Sequence, residues 1–256
     1  MKRLIIIIFC LLTINVVAQK NKVLNKPKYD NYLYHFGFAI GFNTMDFTIH
    51  KAGNFLNANA KSYIDKNLEY PDNQKYSIHS IENIRRPGFN INVVTNLRIN
   101  EDWDLRFTPG LCFGQRDLDY LVIRIDTVAL PNETYTYHHM MSLESTFLQF
   151  PVYLKYRAKR INNYRPYIIG GMNYSYDLAI KIKSDNDDDQ KIALNHSDFY
   201  LEMGFGIDYY LTFFKLSSEI KFSMGVNDVL KHDKSGYTKS IDKINSKIIS
   251  LIFYFE

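Results

Sequence analysis

The 256 residues carry 31 Lys and Arg against 27 Asp and Glu, a near balance that excludes the basic footprint of a nucleic-acid binder. Hydrophobic residues make up 46% and aromatic residues 15%, which excludes a disordered chain and is enough to cover a substantial apolar surface. Past Leu12 there is no long apolar run, so no helical membrane span is expected and the apolar residues are spread over many short segments.

Lys2 and Arg3 precede an unbroken apolar run from Leu4 to Leu12, and Val16-Val17-Ala18 supplies small residues for cleavage, which predicts a signal peptide over 1–18. That segment is too short to span a bilayer. Cys10 has no Ala, Gly or Ser directly before it and lies too near Met1, so a lipoprotein anchor is not expected. Removal of Cys10 leaves Cys112 as the remaining thiol. In an oxidising compartment it is then either shielded by packing or paired with another protein, and shielding is the expectation.

From residue 34 onward the apolar residues recur with period 2, the pattern of strands with one apolar face. The first segment sets Phe36, Phe38, Ile40 and Phe42 against Gly37, Ala39, Gly41 and Asn43. The second sets Phe89, Ile91, Val93, Leu97 and Ile99 against Asn90, Asn92, Asn96 and Arg98. In the third, Leu105, Phe107, Pro109, Leu111 and Phe113 oppose Arg106, Thr108, Gly110, Cys112 and Gly114. The fourth opposes Leu148, Phe150, Val152, Leu154 and Tyr156 to Gln149, Tyr153, Lys155 and Arg157. A less regular fifth, from Tyr164 to Ile180, sets Ile168, Met172, Tyr174 and Tyr176 against Arg165, Tyr167, Asn173 and Asp177. The sixth is the most regular, with Phe199, Leu201, Met203, Phe205, Ile207 and Tyr209 opposite Tyr200, Glu202, Gly204, Gly206, Asp208 and Tyr210. Leu216, Ile220, Phe222 and Met224 against Lys215, Glu219, Lys221 and Gly225 form the seventh, and Ile249, Leu251, Phe253 and Phe255 against Ser250 and Tyr254 the eighth.

The charges decide which face meets which solvent. Arg106, Lys155, Arg157, Glu202, Asp208, Glu219 and Lys221 all fall on the polar phase. A Lys or Arg aimed at mid-membrane lipid costs about 2–4 kcal/mol, so in a bilayer these seven residues must point into a lumen, where they are expected to form a network of opposite charges. The reading is an all-β, eight-stranded antiparallel up-and-down transmembrane β-barrel over 34–256, preceded by a periplasmic segment at 19–33. Eight strands leave an interior wide enough only for side chains, which argues against a pore.

Connection lengths support a barrel over a sandwich. Asn100-Glu101-Asp102, Lys159 to Asn163 and Thr212-Phe213 are tight turns, whereas Asp46 to Pro87, Arg116 to Ser142, Lys181 to Ser197 and Asn227 to Ser246 read as long loops. Short periplasmic turns with long outer loops are the habit of outer-membrane barrels, and a sandwich has no reason to obey that parity. The alternating C-terminal strand ends in Phe253-Tyr254-Phe255-Glu256, similar to the terminal aromatic signal of such strands.

His35-Phe36-Gly37-Phe38, Leu97-Arg98-Ile99-Asn100-Glu101, Leu105-Arg106-Phe107-Thr108-Pro109-Gly110-Leu111, Lys159-Arg160 with Asn163, Arg165-Pro166-Tyr167 with Gly170-Gly171, and Glu202-Met203-Gly204-Phe205-Gly206-Ile207-Asp208 together resemble the PorT family. The resemblance runs in one order along nearly the whole mature chain. It implies an outer-membrane barrel that serves the type IX secretion system, which exports proteins and supports gliding. Its implied partners are outer-membrane lipid and other secretion-system proteins, with no cofactor, nucleic acid or small-molecule substrate, and no catalytic residue comes with it. A stand-alone barrel for adhesion or envelope integrity is the alternative.

Apparent chemical motifs do not hold up. Asp185-Asn186-Asp187-Asp188-Asp189 begins like a calcium loop, but Gln190 stands where the turn needs Gly and His196 where a bidentate Glu is needed. His138 and His139 are adjacent, and on a strand they face opposite sides. Gly204-Phe205-Gly206 lacks the third glycine and the following helix of a dinucleotide site. No Ser-His-Asp or Cys-His set is recoverable, so an enzyme is not expected; enzymes on barrels of this kind remain a fold-level analogy.

Overall fold

The computed structural model describes residues 23–53, 74–126, 134–180, 192, 194–232, 238 and 240–256. The signal peptide expected at 1–18 and the acidic loop at 185–189 lie outside the described residues.

Among the described residues ten strands follow one another: β1 (Tyr34–Lys51), β2 (Gln74–Arg85), β3 (Pro87–Arg98), β4 (Trp103–Phe107), β5 (Gly110–Asp126), β6 (Thr134–Arg157), β7 (Tyr164–Asp177), β8 (Ser197–Tyr210), β9 (Lys215–Gly225) and β10 (Ile241–Phe255). They make eight staves. β2 and β3 are one stave interrupted at Arg86, before Pro87, and β4 and β5 are one interrupted at Thr108-Pro109, since each proline withholds a ladder donor. Every pairing is antiparallel, and β1 pairs with both β10 and β3, so the ring of staves closes on itself. Closure removes the edges that lipid would not tolerate.

The outward residues form one apolar band. Phe38, Phe42, Phe89, Val93, Phe150, Leu154, Ile168, Leu201, Phe205 and Leu251 are all exposed. Tyr34, Trp103, Tyr156, Tyr164 and Tyr209 ring its lower rim near the tight turns. Along β1 the outward apolar run goes from Tyr34 to Phe42 before Thr44 and Asp46 end it. At ~3.3 Å per residue and a tilt of about 40°, the ten steps from Tyr34 to Thr44 correspond to a band about 25 Å tall, the thickness of an outer-membrane hydrocarbon layer.

Three of the expected outer loops are shorter than their sequence suggests. β1 runs on to Lys51 and β2 already begins at Gln74; β5 continues to Asp126 and β6 starts at Thr134; β10 starts at Ile241. Above the band β7, β8 and β9 stop, and the ring divides. Pairing of β1 with β3 ends at Thr44 opposite Pro87, while β2 stays with β5, which runs with β6 to Ile125 opposite Thr134. Asp46 on β1 bridges the division by accepting Arg85 Nε at 2.6 Å and by an amide contact from Asn83. Two small sheets, β2-β5-β6 and β1-β10, then face each other across an apolar core. It contains Phe47, Ile78, Ile81, Leu118, Tyr120, Val122, Met141, Leu143, Ile241 and Ile244, with Ile192, Leu194, Val229 and Leu230 from the connections. A Leu194–Leu230 bridge joins those connections. The outer end is therefore a miniature sandwich that caps the barrel.

Candidate functional site in the lumen

Inward positions alternate with the lipid-facing ones on every stave, and below the cap they are mostly polar, with small apolar clusters such as Ala39, Val94 and Ile252 among them. Six of the seven charges expected to line the lumen meet as three pairs. Arg106 Nη1 lies 3.3 Å from Glu219 Oε2, Lys155 Nζ lies 2.8 Å from Asp208 Oδ2, and Lys221 Nζ lies 3.2 Å from Glu202 Oε2. Arg157 is not brought to any of the other six. It sits at the turn end of the barrel, 3.1 Å from Asp104 and 3.3 Å from Asp30, and also donates to the carbonyls of Asn100 and Glu101.

These pairs are knitted by hydroxyls and amides. Glu219 accepts from Tyr254 Oη at 2.7 Å and Tyr167 Oη at 2.9 Å. Glu202 accepts from Ser223 at 2.7 Å, Asn173 at 3.0 Å and Tyr153, whose own oxygen receives Lys221 Nζ at 2.7 Å. Asp208 also accepts from Ser217 at 2.6 Å. Arg106 donates its Nε to Asn96 at 2.7 Å, reaches Glu256 at 3.3 Å, and lies 4.4 Å from the Tyr254 ring. Buried charge is expensive unless paired and hydrogen-bonded, and here each carboxylate has both.

Small residues make room for this. A Cβ on Gly206 would lie 2.5 Å from the Tyr167 ring, and one on Gly171 2.8 Å from the Tyr153 ring, so the two tyrosines lie against stave positions that carry no side chain. In the ring the β4-β5 stave and the β9 stave stand opposite each other, four staves apart either way. Arg106 on β4 and Glu219 on β9 therefore meet across the diameter. The pair is fully buried, with side-chain exposure of 0% for both.

Higher up, just under the cap, Arg116 lies 4.1 Å from the Phe47 ring and donates to Ser246 at 3.2 Å and Ser145. It lines a small cleft with Phe147, Asp177, Asp198 and Ser246. Cys112 is buried here beside Met45, Phe147, Tyr200 and Ile248, with Asn43 Nδ2 3.4 Å from its sulfur.

Several members of the network lay beyond the sequence reading. Lys215, Tyr153, Tyr167 and Tyr254 were placed on the polar face but not in the charge network; Lys215 pairs with Glu256, the last residue. Arg116 fell inside a segment read as loop. Asp30 precedes the first strand, where no periodicity could mark it. His138 Nδ1 lies 2.9 Å from Asp119 on the exposed side of the β5-β6 hairpin, and among the described residues no group of three or more metal-binding side chains occurs.

Residues 17–231 match the model of a family described as the outer membrane protein beta-barrel domain. A comparison with curated proteins finds no match. Among solved structures, the outer membrane protein OprG of Pseudomonas aeruginosa aligns at 11% identity over 87% of this chain and 91% of its own, with a TM-score of 0.36. Neisserial surface protein A aligns at 11% identity, covering 87% and 97%, with a TM-score of 0.37. The attachment invasion locus protein Ail of Yersinia pestis aligns at 11% identity, covering 86% and 96%, with a TM-score of 0.33.

Proposed function

We propose that this chain, which belongs to the outer membrane protein beta-barrel domain family, is a sealed, non-enzymatic barrel that acts as an accessory or assembly component of type IX protein secretion. In this reading 1–18 is a signal peptide, 19–33 a periplasmic segment and 34–256 the barrel, with outer-membrane lipid and other secretion-system proteins as its partners. The observation that carries it is the Arg106–Glu219 pair across the lumen: a barrel crossed by a buried, fully partnered ion pair serves as a scaffold and not as a conduit. The ordered motifs similar to the PorT family supply the secretion role. Arg106, Lys155, Arg157, Glu202, Asp208, Glu219 and Lys221 then act as the structural fill that keeps the scaffold rigid.

Deleting the gene tests the role. Retention of type IX cargo inside the cell, restored by the unchanged gene, is the expected result. Normal cargo in the medium together with altered surface adhesion would favour the stand-alone barrel, to which the projecting β2-β5-β6 sheet lends itself.

A further inference from the structure

The turn end of the barrel is closed by a strap that belongs to no strand. Before Tyr34 the described chain forms a single turn at Tyr29–Asn31, and its residues are held almost wholly through side chains. Asp30 lies 3.3 Å from Arg157 and 3.5 Å from Arg165, and it accepts the Tyr210 hydroxyl at 2.8 Å. Tyr29 stacks on His35 with ring centres 4.2 Å apart and receives Lys215 over its face at 5.0 Å. Arg160, stacked on Tyr210, donates to the carbonyls of Asn25 and Lys26.

The four cationic holding groups each have a partner outside the strap. Arg157 also has Asp104, Arg165 also has Asp102 and the carbonyl of Ala158, Lys215 has Glu256, and Arg160 has the carbonyl of Asn162. The seat is thus preformed on stave ends and turns, while its occupant is a short aromatic–acidic pair. Taking Asp30 away leaves Arg157, Arg160 and Arg165 facing only Asp102 and Asp104, an excess of positive charge beside two aromatic faces.

We propose that the inner mouth is a binding seat for a polypeptide segment that carries an aromatic residue next to a carboxylate, and that Tyr29-Asp30 is its displaceable occupant in cis. A partner protein presenting that pair exchanges with the strap. The geometry suits a peptide: the guanidinium forks read a carboxylate with direction, the Tyr210 hydroxyl fixes its position, and the Arg160 donors take backbone carbonyls that a bare anion lacks. The seat is independent of whether the barrel serves secretion.

The full chain in detergent micelles tests this with a fluorescent synthetic peptide of residues 23–33. The Asp30→Asn variant should release its own strap, so that tryptic cleavage between Lys28 and Tyr29 accelerates at least ten-fold. It should bind the peptide at least ten-fold more tightly than the unchanged chain does. Replacing Asp by Asn in the peptide, or adding Arg165→Gln to the variant, should remove that gain, while the gel shift on heating, which reports a folded barrel, stays the same. Equal binding by the unchanged chain and the variant overturns the proposal. Unaltered cleavage also overturns it, as does equal competition by acetate or by a scrambled peptide of the same charge.

Discussion

The lumen and the outer cap are built on the same staves with opposite chemistry. Within the lipid band β1 turns Phe38, Ile40 and Phe42 outward and Ala39, Gly41 and Asn43 inward; a few residues later Asp46 is outward, and Met45 and Phe47 are buried inside. On β5, Leu111 and Phe113 point out beside the inward Cys112, and above them Leu118, Tyr120 and Val122 point in beside Asp119. Along β1 and β5 the strand phase does not change through this crossing; the bulges, between Ile78 and Ser80 on β2 and at His50–Lys51 opposite Ile241, lie farther up in the cap. What changes is the solvent outside, from hydrocarbon to water, and the side chains exchange faces where it does. The exchange therefore marks the membrane surface on the molecule, near Thr44 on β1, Arg86 between β2 and β3, Gln115 on β5, Thr146 on β6 and Lys247 on β10.

The contrast is broken most severely from the lumen. Arg106→Met strips Glu219 of its ion-pair partner and leaves Glu256 only Lys215, so the unfolding free energy should fall by about 3–5 kcal/mol, read from a denaturant titration in detergent or liposomes. A loss below about 1 kcal/mol would mean that water solvates those carboxylates and that the lumen is open.

Next in size is a test of the outward face. Val152→Lys places a cation in the band and should cost about 2–4 kcal/mol in liposomes, whereas Glu144→Lys, eight residues away on the same face of β6, should change stability by about 0.5 kcal/mol or less. Equal costs would place both residues in one environment.

The smallest effect sharpens the cap side. Asp228 lies in the outer connection; burial pushes its carboxyl up, but hydrogen bonds from the Ile244 and Leu230 amides and from His232 outweigh this and hold it below the usual carboxylate range. A depressed carboxyl contributes stability above its unfolded pKa of about 3.9 and loses it as the pH falls through the lower folded value. Asp228→Asn should thus cost the cap about 1 kcal/mol at pH 7 and abolish its share of the acid loss below about pH 4, followed by amide exchange at Leu230 and Ile244.

Much of this was legible in the sequence. All eight staves and their phase were present in the alternation, because a charge directed at lipid is costly enough to fix every strand's orientation. The tight turns were readable from the shortness of the connections between alternating runs. The continuation of the strands into the cap was not read, although Leu118, Tyr120 and Val122 alternate as cleanly as any lipid-facing run. They occupy the opposite phase from Leu111 and Phe113, so a reading that required the apolar phase to stay outward ended the strand at Arg116. Which lumen charges meet was also beyond the sequence, since the Arg106–Glu219 contact crosses the barrel and depends on closure and register together. Asp30 lies in a strap held almost wholly through side chains, where no period exists to be read.

The exchange of faces on the continuing staves is the membrane surface. This is tested most directly by replacing Trp103, the single tryptophan, with Phe and placing one Trp in turn at 154, 152, 150, 148, 146, 144, 142 and 140, all outward on β6, in liposomes containing brominated lipid. Strong quenching from 154 to 148 that falls away by 144 and stays low at 140, even though the native Met140 is apolar and exposed, is the predicted result. Strong quenching that continues through 144 to 140 would contradict it, because the cap would then lie in lipid.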